Sequence, residues 1–183
     1  MTTASKITIL RILLIPIFMA FMLLEFAHST LIAFVVFAIA GLSDWLDGHI
    51  ARKYDQISSF GKFMDPLADK LLVTAAMLIF VQWGRMPAWV VMLVLAREFA
   101  VSGLRMLAAA SGEVIAAGVS GKIKTVATFF GLMLMMMFDG NPVLFGAVTL
   151  DCLVVAVILL TTVYSGIEYF VQNRKVLWDK GGK

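Results

Sequence analysis

The chain has 183 residues, 61% of them hydrophobic, with 15 Lys and Arg against 12 Asp and Glu for a net charge of +3. Soluble domains are nearer about 45–50% apolar, so an ordinary soluble enzyme is excluded. Long continuous apolar stretches, in place of alternating strands of about ten residues, exclude a β-barrel of the outer-membrane type.

In chain order, six apolar stretches approach the ~20 residues that a bilayer core demands. They lie at roughly 8–26, 30–49, 61–82, 87–110, 120–138 and 143–171. The expected fold is all-α, a polytopic membrane protein of six transmembrane helices, forming a single domain over residues 1–183. Lys6 and Arg11 ahead of the first apolar run imitate a signal peptide, but no small-residue cleavage site follows, so the segment reads as a retained helix. Cys152 is the single cysteine; it makes no internal disulfide and reads as a buried, inert thiol. Met133, Met135, Met136 and Met137 read as packing or lipid-facing surface.

Placing both termini in the cytoplasm puts fourteen of the fifteen Lys and Arg on the inner side and leaves Arg85 outside. Trp83 and Trp89 then flank the outer loop, while Trp45 and Trp178 lie toward the inner face. The basic tail NRKVLWDKGGK suits anionic head groups. The end of the second span and the start of the third face the cytoplasm, and the acidic residues of the chain concentrate there.

Asp44, Asp47, Asp65 and Asp69 stand in that stretch. Each ionisable group inside a membrane costs about 2.5–3.5 kcal/mol, and clustered carboxylates find their natural partner in a divalent cation. Asp44 and Asp47 are three apart, Asp65 and Asp69 four apart, so each pair shares a helix face. Four carboxylates suit two hard cations, Mg²⁺ or Mn²⁺, in a phosphoryl-transfer arrangement. Scarce Cys and His argue against zinc or iron. Gly48, Ala51 and Gly61 leave room for a bulky ligand such as a nucleotide, and Arg52 suits a phosphate or a site carboxylate. His49 reads as a polar helix-end residue, and His28 as a loop residue.

The run D-x2-D-G-x2-A-R-x8-G-x3-D-x3-D is complete, through Asp44, Asp47, Gly48, Ala51, Arg52, Gly61, Asp65 and Asp69. It resembles the signature of the CDP-alcohol phosphatidyltransferase family. That resemblance implies six membrane helices, a homodimer and two divalent metals. It also implies transfer of a phosphatidyl or similar group from a CDP-linked donor to an alcohol, with release of CMP. On the matching positions it makes Asp44, Asp47, Asp65 and Asp69 the metal ligands and Asp69 the catalytic base. Asp44, Gly48, Ala51, Arg52 and Gly61 would hold the cytidine diphosphate. One departure stands at Ser5, where the family often has Asn ahead of Thr8 and Arg11; Ser can still cap a helix, and Arg11 reads more readily as an interfacial anchor than as a substrate contact.

Arg97, Glu98 and Arg105 lie in the fourth span, and Lys122 and Lys124 open the fifth. Arg105, Lys122, Lys124 and Arg97 form a basic group suited to an acceptor that carries a phosphate, with Glu98 pairing one of them. REFAVSGLR (97–105), AAGVSGKIKT (116–125), SGIEYF (165–170) and DPLADKLL (65–72) resemble the branch of that family whose acceptor is sn-glycerol 3-phosphate. The expected partners are CDP-diacylglycerol, sn-glycerol 3-phosphate and membrane lipid, with no nucleic acid. The expected location is the bacterial plasma membrane, multi-pass, with the active site facing the cytoplasm. Alternatives are the same chemistry on phosphatidylglycerol, an inositol phosphate or serine, or a non-enzymatic cation carrier.

Overall fold

A computed structural model of the protein describes residues 3–24, 26–54, 59–112, 115–116, 118–138 and 140–174; the side chains at 3–8, 44–54, 59–66 and 69 stand outside that description. The chain is mostly helical: α1 (Thr3–Leu23), α2 (Ser29–Tyr54), α3 (Ser59–Gln82), α4 (Ala88–Ala110), α5 (Val119–Met137) and α6 (Leu150–Gln172), with a hairpin of β1 (Val143–Phe145) and β2 (Val148–Thr149) before α6. Trp178 and the basic tail lie outside the described residues.

Three boundaries differ from the sequence expectation, each for a local reason. Helix α1 already includes Thr3, so Ser5 lies within its first turns and not ahead of its start. Helix α2 passes the expected end at 49 and runs to Tyr54, because Ala51, Arg52 and Lys53 are good helix formers and one glycine costs only about 1 kcal/mol. Residues 143–149, expected as the start of the sixth span, instead form an antiparallel hairpin with Val143 opposite Thr149. Gly146 turns it at φ +57°, a left-handed conformation that glycine adopts freely. Thr149 then caps α6, its hydroxyl accepting from the Cys152 N–H at 3.4 Å, and Asp151 in the first turn favours the helix dipole.

The chain divides into two compact units, residues 1–85 with 132–140, and residues 86–131 with 141–183. In the first, α1 packs on α2 and α3. Ile15, Phe18 and Met22 form the buried stripe of α1, and Phe18 meets Phe37 of α2 with ring centroids 5.4 Å apart. At the end of α3 the turn through Gly84 is tied down by Arg85. Its Nη2 donates to the Phe138 carbonyl at 2.9 Å and its guanidinium lies 5.2 Å over the Phe80 ring.

In the second unit α4 packs on α6. Val101, Leu104 and Tyr169 are its core, with Ile115 and Phe170 against them. Helices α5 and α6 approach closely at Gly131, where an added Cβ would lie 2.8 Å from Val154 Cγ1.

Large apolar side chains remain exposed on several helices, among them Phe99, Phe130, Leu160 and Ile167, as a lipid-facing surface requires. Cys152 is also exposed, which corrects the buried reading; in an apolar span lipid-facing and core positions carry the same residue types. Of the methionine run, Met135 and Met136 are buried and Met137 is exposed. Among the described residues two helices, Val119–Met137 and Leu150–Gln172, are long and apolar enough to cross a membrane. Helix α4 carries three charges, Arg97, Glu98 and Arg105.

Candidate active site

In the first unit the backbone register relates the acidic motif to the core. The buried stripe of α2 is Ala33, Phe37 and Ala40, all fully buried. Positions 44, 47 and 51 continue the same three-and-four spacing, so Asp44, Asp47 and Ala51 fall in line with that stripe, with Gly48 and Arg52 beside it. On α3 the buried stripe is Ala68, Leu72, Ala75, Ala76 and Ile79. Extended backwards, it passes through positions 65 and 61, and Asp69 stands next to Ala68. Every motif position is thus helical, while the side chains of Asp44, Asp47, Gly48, Ala51, Arg52, Gly61, Asp65 and Asp69 lie outside the described ones. Alanine at 33, 40, 68, 75 and 76 lets helix backbones approach closely.

Arg11 is a functional candidate that sequence reasoning underrated. It is 1% exposed, and its Nε donates to the Ala40 carbonyl at 3.2 Å. In an α-helix that carbonyl also receives the amide of residue 44. Arg11 therefore pins α1 to α2 one turn before Asp44, which corrects its reading as an interfacial anchor. Its place in the T-x-x-R element was the available signal.

In the second unit the structure sorts the four predicted basic residues. Lys124 is buried on α5, in line with Thr128, Leu132 and Met135, and its Nζ donates to Glu98 Oε1 at 2.8 Å. Arg97 Nη1 donates to the same oxygen at 2.9 Å. Arg97, Glu98 and Lys124 thus form one ion cluster joining α4 to α5, with side chains only 11%, 19% and 6% exposed. Arg105 is placed separately, its Nε donating to the Tyr169 hydroxyl at 3.1 Å and its guanidinium 5.5 Å from the ring centroid. Lys122 is exposed, on a different side of α5 from Lys124. Tyr169 had drawn no role from the sequence, although a phenol within an apolar span needs a hydrogen-bond partner.

Chemically, the first unit offers oxygen donors of the kind hard divalent cations take, and the second offers guanidinium and ammonium groups suited to an oxyanion. Among the described residues no three His, Cys, Asp or Glu side chains gather as a metal site; the four motif aspartates are outside that set.

A family model described as CDP-alcohol phosphatidyltransferase matches residues 1–164. The chain is 43% identical to the CDP-diacylglycerol–glycerol-3-phosphate 3-phosphatidyltransferase of Bacillus subtilis (strain 168), covering 94% of this chain and 95% of that protein. It is 38% identical to the protein of the same name from Haemophilus influenzae, covering 94% of each. The Salmonella typhimurium protein of that name is 34% identical, over 96% of this chain and 97% of its own length. The chain belongs to the CDP-alcohol phosphatidyltransferase family.

Proposed function

We propose that the chain transfers the phosphatidyl group of CDP-diacylglycerol to sn-glycerol 3-phosphate, giving phosphatidylglycerophosphate and CMP. The observation that carries this reading is the unbroken acidic motif lying in register with the buried stripes of α2 and α3. Similarity over nearly the full length to relatives named for this reaction supports the acceptor, as does the basic group on α4 and α5.

Asp44, Asp47, Asp65 and Asp69 would hold two divalent cations, Mg²⁺ or Mn²⁺, and their all-oxygen donor set fits such ions. When bound, those ions neutralise charge on the pyrophosphate. Gly48, Ala51, Arg52 and Gly61, with Asp44, hold the cytidine diphosphate part of the donor. Arg105, Arg97 and Lys124 would hold the phosphate of the acceptor, while Lys122, on a different side of α5 from Lys124, stands apart from them. The primary hydroxyl oxygen of glycerol 3-phosphate attacks the phosphorus that bears diacylglycerol. Asp69 accepts the hydroxyl proton, the bond to the bridging pyrophosphate oxygen breaks, and CMP leaves with that oxygen.

The protein would span the plasma membrane six times as a homodimer, with both termini and the active site on the cytoplasmic side, where glycerol 3-phosphate is dissolved. The distribution of Lys and Arg supports that orientation.

The test is an acceptor panel on purified protein in liposomes, with CDP-diacylglycerol, Mg²⁺ or Mn²⁺ and one alcohol at a time, scoring CMP and lipid product. Glycerol 3-phosphate alone should support CMP release, and chelation of the metal should abolish it reversibly. Release with phosphatidylglycerol, inositol phosphate or serine in its place would overturn the acceptor.

A further inference from the structure

We propose that Glu98 is a positioning residue for the acceptor phosphate, holding Arg97 and Lys124 at one point so that Arg97 presents a ready hydrogen-bond donor. The proposal rests on the acceptor assignment above and adds a residue with no phosphate contact of its own.

One oxygen, Glu98 Oε1, accepts from both cations, at 2.9 Å from Arg97 Nη1 and 2.8 Å from Lys124 Nζ. Two cations that converge on one anion repel each other, and burial strengthens the repulsion. The carboxylate between them offsets it, and without it a buried Lys124 would be left with an uncompensated charge. The ion cluster therefore fixes side chains from two helices, α4 and α5, that would otherwise separate.

Arg97 is further confined by what its neighbours lack. A Cβ added at Gly166 of α6 would lie 3.3 Å from Arg97 Cγ, and one added at Gly121 of α5 would lie 3.4 Å from Arg97 Nη2. The Arg97 side chain thus runs through a slot between two glycines on two other helices. Within that slot Nη1 is committed to Glu98, whereas Nε is buried with no hydrogen-bond partner among the described residues. A buried guanidinium N–H without a partner is costly. The Nε–Nη2 edge is a side of the fork that grips two oxygens of a phosphate together. An oxyanion meeting that edge satisfies the open donor, and Glu98, by occupying Nη1, leaves Nε uncommitted.

The test is two-substrate kinetics of Glu98→Gln, which keeps the side-chain shape and removes its charge, with the melting midpoint in detergent measured alongside. KM for glycerol 3-phosphate should rise about tenfold, while KM for CDP-diacylglycerol and kcat stay within about threefold. Glu98→Asp, which keeps the charge, should recover part of the loss. Gly166→Ala should raise the same KM about threefold at an unchanged melting midpoint. An unchanged KM for glycerol 3-phosphate in Glu98→Gln, or an equal rise for both substrates, overturns the proposal.

If Glu98→Gln does not fold, Glu98→Gln/Lys124→Met removes the stranded cation as well and is compared with Lys124→Met alone. A higher KM in the double variant reports the lost placement of Arg97, and equal values overturn the proposal. Wild-type protein that releases CMP with another alcohol and not with glycerol 3-phosphate overturns the acceptor assignment, and this proposal with it. Wild-type activity on glycerol 3-phosphate with an indifferent Glu98→Gln overturns the proposal alone.

Discussion

The first unit places its acidic positions by helix register, and the second adds to register an ion cluster that joins two helices. On α2 the line Ala33, Phe37, Ala40 runs on through Asp44, Asp47 and Ala51, so the packing that buries the apolar half also aligns the acidic half. On α4 and α5 Arg97 and Lys124 also fall in line with buried residues, Arg97 between Val94 and Val101 and Lys124 ahead of Thr128 and Leu132, and a carboxylate then joins the two lines. Arg97 and Glu98 are sequence neighbours and face different directions along the helix, yet they and Lys124 meet because one carboxylate oxygen draws both cations. Register is rigid and suits groups that must share ions at fixed spacing. Ion pairing is adjustable and suits a pocket that receives a mobile anion. Under the proposed function, damage to the first unit should appear in kcat and damage to the second in KM for the acceptor.

The largest effect is expected at Asp69. Replacing it with Asn should lower kcat for CMP release about a thousandfold, because the acceptor hydroxyl loses its base, with KM for glycerol 3-phosphate little changed. Next comes Arg105→Met, which removes the charged partner of Tyr169; KM for glycerol 3-phosphate should rise about tenfold, matching a lost charged hydrogen bond, with kcat preserved. Steady-state assays in liposomes check both.

Two smaller effects follow, one on stability and one on acceptor binding. Gly131→Ala brings a methyl group against Val154, and overpacking of this kind costs about 1–3 kcal/mol; a lower melting midpoint should appear without a selective change in either KM. Tyr169→Phe removes only the hydroxyl that accepts from Arg105, about 1 kcal/mol. It should shift KM for glycerol 3-phosphate severalfold and leave CDP-diacylglycerol unaffected. A larger effect on CDP-diacylglycerol would reassign Arg105 and Tyr169 to the donor.

The helical class was legible because continuous apolar runs leave few alternatives, and the helical placement of the acidic positions was legible because the spacing within each pair is itself a helix repeat. Glu98 was expected to pair one of its basic neighbours, and it pairs two. Other features were hidden for identifiable reasons. Apolar β-branched residues at Val143, Val148 and Thr149 read equally as membrane helix or strand, and the hairpin depends on the turn at Gly146. Lys122 and Lys124 look alike in sequence, yet α5 buries one and exposes the other because residues two apart lie on nearly opposite sides of a helix. Arg11 looked like an interfacial cation, yet it stands in line with Ile15, Phe18 and Met22 on the buried stripe of α1 that packs on α2.

The most direct measurement of the central claim is paired two-substrate kinetics, on purified protein in liposomes, for Asp65→Asn in the first unit and Arg105→Met in the second. The account predicts that Asp65→Asn depresses kcat and alters the metal requirement while KM for glycerol 3-phosphate holds. Arg105→Met should raise that KM while kcat and the metal requirement hold. If both variants change the same parameter, or if Arg105→Met acts on CDP-diacylglycerol instead, the assignment of chemistry to the acidic unit and acceptor binding to the basic unit is contradicted.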